Sequence, residues 1–138
     1  MVPNDSWTLA DCAQFLSWAG RSDRAITWLE EAMRREANPP EWYLGNLGVA
    51  YYVGGRPDDA VAQFLKMKQP WRTNLAAAYV RAGKLREAQT IMAGFQKDYP
   101  AHTTKDEAVW PTWKLPQFSA AVLEPYLADL TKAGLPKQ

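Results

Sequence analysis

One phrase occurs three times in this 138-residue chain, and nothing else in the sequence restricts its folding as much. It reads GRSDRA at Gly20 to Ala25, GRPDDA at Gly55 to Ala60 and GKLREA at Gly83 to Ala88. Aligned on the glycines, the match extends upstream, where Leu47-Gly48-Val49-Ala50-Tyr51 corresponds to Leu75-Ala76-Ala77-Ala78-Tyr79. Cys12-Ala13-Gln14-Phe15-Leu16 keeps apolar residues in the same register of the first copy. Downstream, Ala25, Leu29 and Met33 correspond to Ala60, Phe64 and Met67, and to Ala88, Met92 and Phe95. Spacings of three and four put these side chains on one face of an α-helix. Each copy therefore reads as a helix, a tight turn and a second helix. The glycine supplies the permissive backbone that ends the first helix. Asp23, Asp58, Asp59 and Glu87 then place negative charge at the positive end of the second helix's dipole, and Pro57 suits a first helical position. The small Ala25, Ala60 and Ala88 let the paired helices approach closely. One such pair cannot bury its apolar face unaided, so neighbouring pairs must stack, and the chain is expected to be all-α.

The residues Leu47-Gly48, Tyr51, Gly55, Ala60 and Phe64, with Leu75, Tyr79, Gly83, Ala88 and Pro100 in the next copy, resemble the tetratricopeptide repeat. The resemblance implies a right-handed α-solenoid of about three units, at about 5–38, 40–69 and 70–100, acting as a protein-interaction module. Ala25 to Ala60 is 35 residues but Ala60 to Ala88 only 28, so about six residues are missing against the family's period. The second helix of the middle repeat, which must stop before Pro70, is the expected place. The stretch NPPEWYLGNLGVAYYVGGRPDDA at Asn38 to Ala60 and the tail LADLTKAGLPKQ resemble the carboxy-terminal repeat region of bacterial regulators that carry a class III adenylate or guanylate cyclase domain. That resemblance implies a cytoplasmic regulatory or signalling protein. Nothing in the chain resembles the paired metal-binding aspartates or the nucleotide pocket of the cyclase domain.

Residues 101–138 read as a helical cap. Thr104 and Glu107 have the spacing of a capping box, opening a short helix that is expected to end before Pro111. Pro111 and Pro116 make the following stretch irregular, and a final helix from about Pro125 to Ala133 is stopped by Gly134 and Pro136. Leu123, Leu127 and Leu130 share one side of it. Such an element covers the open face of the last repeat, with Trp110 and Trp113 packed beneath it.

Chemistry is sparse. Sixteen Lys and Arg against fifteen Asp and Glu leave a net charge of +1, which offers no electrostatic footprint for nucleic acid or an anionic membrane surface. The amino end lacks the basic and apolar runs of a signal peptide, and no segment approaches the length of a membrane span. Cys12 is alone, so no intrachain disulfide is possible, which fits a reducing compartment. His102 is the single histidine and lies far from Cys12 along the chain, so neither a Cys–His pair nor a usual zinc ligand set is expected. The glycines do not form a phosphate loop. The sequence reads as non-catalytic, with no cofactor and no metal.

The first helix of each unit is apolar on a second face as well. Trp7, Ala10, Gln14, Ser17 and Trp18 share a register with Trp42, Gly45, Val49, Tyr52 and Val53, and with Thr73, Ala77, Val80 and Arg81. A helix apolar on both faces must bury both. The cover could be the chain's own tail, a second copy in a homodimer, or a partner. The reading is a concave groove, centred on Trp7, Gln14, Trp18, Trp42, Val49, Tyr52, Val53 and Arg81, that docks a segment of a protein partner. The alternative is a small-ligand sensory or dimerisation domain controlling an attached cyclase or other output domain. Asn46 and Asn74 stand where chaperone-tail clamps place asparagine, but Ala10 and Gln14 leave such a clamp incomplete, and the two amides are expected to bond neighbouring backbone.

Overall fold

A computed structural model describes the backbone of residues 4–114 and 120–138 and the side chains of residues 4–109 and 120–138. Every regular element among the described residues is an α-helix, arranged as helix–turn–helix units of the kind that build α-solenoids. Contacts divide the chain into two units, Met1–Pro70 and Trp71–Gln138. In the first, α1 (Ser6–Trp18) packs on α2 (Ser22–Arg35) and α3 (Glu41–Val53) on α4 (Pro57–Leu65), while α3 also lies against α1 and α2. In the second, α5 (Arg72–Arg81) packs on α6 (Leu85–Asp98), α8 (Ala120–Ala133) lies against both, and α7 (Thr104–Lys114) packs on α8.

The repeated phrase is a single hydrogen-bonding device used three times. Gly20, Gly55 and Gly83 have φ of 82°, 75° and 78°, a left-handed backbone that a Cβ disfavours. Their N–H groups donate to Ser17, Tyr52 and Val80 at 3.0, 3.3 and 3.1 Å. The next residues, Arg21, Arg56 and Lys84, donate to Leu16, Tyr51 and Tyr79 at 2.8, 2.9 and 2.8 Å, completing a Schellman motif each time. The carbonyls of those same basic residues then accept the first bond of the following helix from Ala25, Ala60 and Ala88, each at 3.1 Å. One residue thus closes one helix with its N–H and opens the next with its C=O. A Cβ added at Gly55 would meet nothing within 4 Å, so Gly55→Ala strains only the backbone and is expected to cost about 1 kcal/mol. A urea denaturation midpoint left unchanged by this substitution would overturn that account of the turn.

The tail uses the device a fourth time without a helix to follow. Gly134, at φ 113°, donates to Thr131 at 3.0 Å, and Leu135 donates to Leu130 at 3.0 Å. Leu130 and Leu135 are both buried, which supplies the apolar contact that accompanies this motif.

The short middle spacing has two sources rather than the one expected. With nine residues α4 is five shorter than α2 and α6, and with ten residues α5 is three shorter than α1 and α3. The turn after α4 is held by the Glu41 carboxylate, which accepts from the Lys68 N–H at 2.6 Å.

Three boundaries in the cap differ from the sequence reading. The capping box lies one residue earlier: Thr103 Oγ1 accepts from the Lys105 N–H at 3.3 Å and Asp106 Oδ2 accepts from the Thr103 N–H at 2.8 Å. That backbone bond holds the Asp106 carboxyl below its ordinary range. Thr104 is buried, and its N–H donates instead to the Pro136 carbonyl at 2.9 Å. Helix α7 continues through Pro111 to Lys114, and α8 begins at Ala120 with Pro125 inside it. A proline removes one helical bond and kinks a helix without obliging it to end. The expected packing of Trp110 and Trp113 and the irregular stretch at Pro116 lie outside the described residues.

In each repeat a small residue on the first helix shares the repeat register with a large one on the second. Gly48 faces Phe64, and a Cβ at Gly48 would lie 2.7 Å from the Phe64 ring. The same positions elsewhere hold Ala76 with Met92 and Ala13 with Leu29, and all five of these other side chains, Phe64 included, are fully buried. Gly48 thus lets α3 approach a ring that an alanine would push away.

Candidate functional site

The eight residues expected to line a groove meet four different fates. Trp7 is 59% exposed. Its ring meets that of half-buried Trp42 edge to face at 5.8 Å, and Trp42 in turn meets Tyr43 at 4.6 Å. Tyr43 is buried and donates to Ser6 Oγ at 3.2 Å, while Ser6 Oγ donates to the Glu36 carboxylate. An aromatic stair therefore descends from solvent to the core of the first unit, ending on a satisfied polar group. Gln14 and Val53 are half-buried. Trp18, Val49 and Tyr52 are buried, at 7%, 4% and 4% exposure. Arg81 is held within the second unit, its Nε donating to Asp129 Oδ2 at 2.9 Å.

The two asparagines separate. Asn46 is buried and donates to the Ala10 carbonyl at 3.0 Å, a backbone partner as expected, although one on α1. Asn74 donates to a side chain instead, the Tyr126 hydroxyl at 3.3 Å.

Asn74 belongs to a polar cluster that the sequence does not announce. Glu107, placed on the inner side of α7 by the Thr103 cap, accepts from the Tyr126 hydroxyl at 2.7 Å and from Thr73 Oγ1 at 3.2 Å through the same oxygen. Its other oxygen lies 2.8 Å from His102 Nε2. Tyr126 and Thr73 are buried, so one carboxylate ties α5, α7 and α8 together with charge-assisted bonds. Beside it, the Arg72 guanidinium lies 5.2 Å from the Phe95 ring centre and pairs with Asp98 at 2.8 Å. Tyr99 is 54% exposed and stacks on Phe95 at 4.9 Å.

Burial, with Glu30 alongside, raises the Tyr51 phenol above its ordinary value, and the protonated hydroxyl faces Glu30 Oε1 at 3.5 Å. The Thr8 N–H holds the capping Asp5 carboxyl low. Cys12 is a free, half-buried thiol on α1. Among the described residues, no three His, Cys, Asp or Glu side chains are grouped to hold a metal ion, and no helix is long and apolar enough to cross a membrane.

Paired helices joined three times by the same glycine turn define a helical repeat protein. The model of the Tetratricopeptide repeat family matches residues 42–65 and 70–93, which supports a tetratricopeptide repeat protein. Such repeats generally mediate protein–protein interaction and are generally non-catalytic. Among curated proteins and among solved structures, nothing matches the chain.

Proposed function

We propose that this chain is the docking module of a bacterial regulatory protein. In this reading it has three repeats, at about 5–38, 40–69 and 70–100, and a cap over 101–138, and it holds a partner's protein segment against the aromatic edge at Trp7 and Trp42. The exposure of Trp7 carries the reading. A tryptophan left 59% open on the edge of a second tryptophan is the kind of anchor that supplies binding energy when a partner desolvates it. Gln14 and Val53, both half-buried, extend the accessible surface of the same unit. Trp18, Val49 and Tyr52 are buried in that unit. The regulatory setting rests on the resemblance of Asn38 to Ala60 and of the tail to repeat regions of cyclase-bearing regulators.

The test compares the chain with Trp7→Ala in affinity capture from source-cell lysate, followed by calorimetric titration of the purified partner. Trp7 is exposed, so its removal spares the fold, and the variant should bind at least about thirtyfold more weakly, as loss of an interface hot spot does. Equal capture and equal affinity would remove this edge as the docking site. Arginine at Tyr52 is not an equivalent probe, because its side chain is buried and the change would act on packing.

A further inference from the structure

A helix that closes a repeat array ordinarily turns a polar side to water, and α8 turns Glu124, Thr131 and Lys132 there, with Ala121, Pro125 and Ala128 exposed among them. It buries Leu123, Tyr126, Leu130 and Ala133 on one side. The opposite side, with Ala121 and Ala128 exposed, and half-buried Leu127 at the flank of the buried side, border a groove of about 620 Å³. Lys105 of α7, Glu124, Leu127, Ala128 and Lys132 of α8, and Lys137 of the tail are among its walls.

Residues 124, 128 and 132 form one row on α8, each about 6 Å further along the axis. Glu124 stands at one end of the row, Lys132 at the other, and Ala128 midway. Both charges are exposed, and neither makes an ion pair among the described residues. Read backwards, the row is its own complement. If a second α8 lies antiparallel to the first about a two-fold axis at Ala128, Glu124 of each copy comes level with Lys132 of the other. An isologous contact makes every pair twice, so one interface would hold two such ion pairs around an apolar centre of Leu127 and Ala128. An acidic partner segment drawn by Lys105, Lys132 and Lys137 would instead meet the Glu124 carboxylate in the wall of the same groove.

We propose that the outward face of α8 is a homodimer interface, with Glu124 and Lys132 paired between copies. This does not depend on the docking of a partner at Trp7.

Sedimentation equilibrium of the full chain across low to high micromolar concentrations reads it out. The mass is expected to rise from 15.6 kDa towards twice that value. Glu124→Lys sets lysine against Lys132 twice, and Lys132→Glu sets glutamate against Glu124 twice, so each is expected to raise the dimer dissociation constant roughly tenfold or more. The combined Glu124→Lys/Lys132→Glu chain restores both pairs in reverse and should return to within about threefold of the original. Both positions are exposed, and unchanged circular dichroism would show that the variants fold. A chain that stays monomeric throughout overturns the proposal, as do single reversals without effect or a double reversal that fails to restore association. Association that only an acidic peptide induces, with the chain alone monomeric, overturns it in favour of a foreign segment.

Discussion

Replacing Phe64 by alanine is expected to lower the unfolding free energy by about 3–5 kcal/mol, the usual cost of emptying a fully buried aromatic site. The cavity cannot close easily, because the residue facing the ring is Gly48, which has no side chain to fill it. Gly48→Ala on the intact chain is the complementary experiment. An alanine gains about 1 kcal/mol of helix propensity, but its Cβ would sit 2.7 Å from a ring with 0% exposure. Overpacking of that kind costs about 1–3 kcal/mol, so a net loss of up to about 2 kcal/mol is expected. Adding Phe64→Met to Gly48→Ala reproduces the pair that the next repeat uses, Ala76 with Met92, and should recover most of that loss. Urea denaturation of the two single variants and the double closes the cycle. Strictly additive effects would mean that these residues do not share one packing space.

Glu107→Ala is the second large effect, at about 2–4 kcal/mol. The substitution leaves the buried Tyr126 hydroxyl, Thr73 and His102 without their common acceptor, and buried donors left unpaired cost more than the bond they lose. Glu107→Gln keeps a carbonyl oxygen for Tyr126 while giving up the negative charge, so it should cost about half as much. Amide hydrogen exchange would report the change first as lost protection in α7 and α8. If Glu107→Ala and Glu107→Gln were equally mild, water would be replacing the carboxylate, and the cluster would not be what holds the cap.

The turns were legible because their chemistry is local. A glycine required at positive φ, a basic residue after it, and an alanine five places on all lie within six residues, and one device repeated three times stands out against the rest of the sequence. The Glu107 cluster was not legible, because its partners are separated by 19, 34 and 52 residues and no periodicity links them. Thr103 and Thr104 are adjacent and chemically identical, so spacing alone chose the wrong one to cap α7. The groove residues divided for a related reason. Helix α3 is apolar around nearly its whole circumference, and a pattern with no polar side cannot separate Trp42, which reaches the surface, from Val49 and Tyr52, which do not. The fold class rests on the first kind of signal and the docking edge on the second.

Arg21, Arg56 and Lys84 each belong to two helices at once, through the N–H on one side and the C=O on the other. No residue inside a repeat turn is therefore spare, and an insertion or deletion there would break the end of one helix or the start of the next. Length can change only where consecutive repeats are joined. The shortened α4 and α5 flank such a junction, so the chain is short at the one kind of place where its architecture tolerates a change of length.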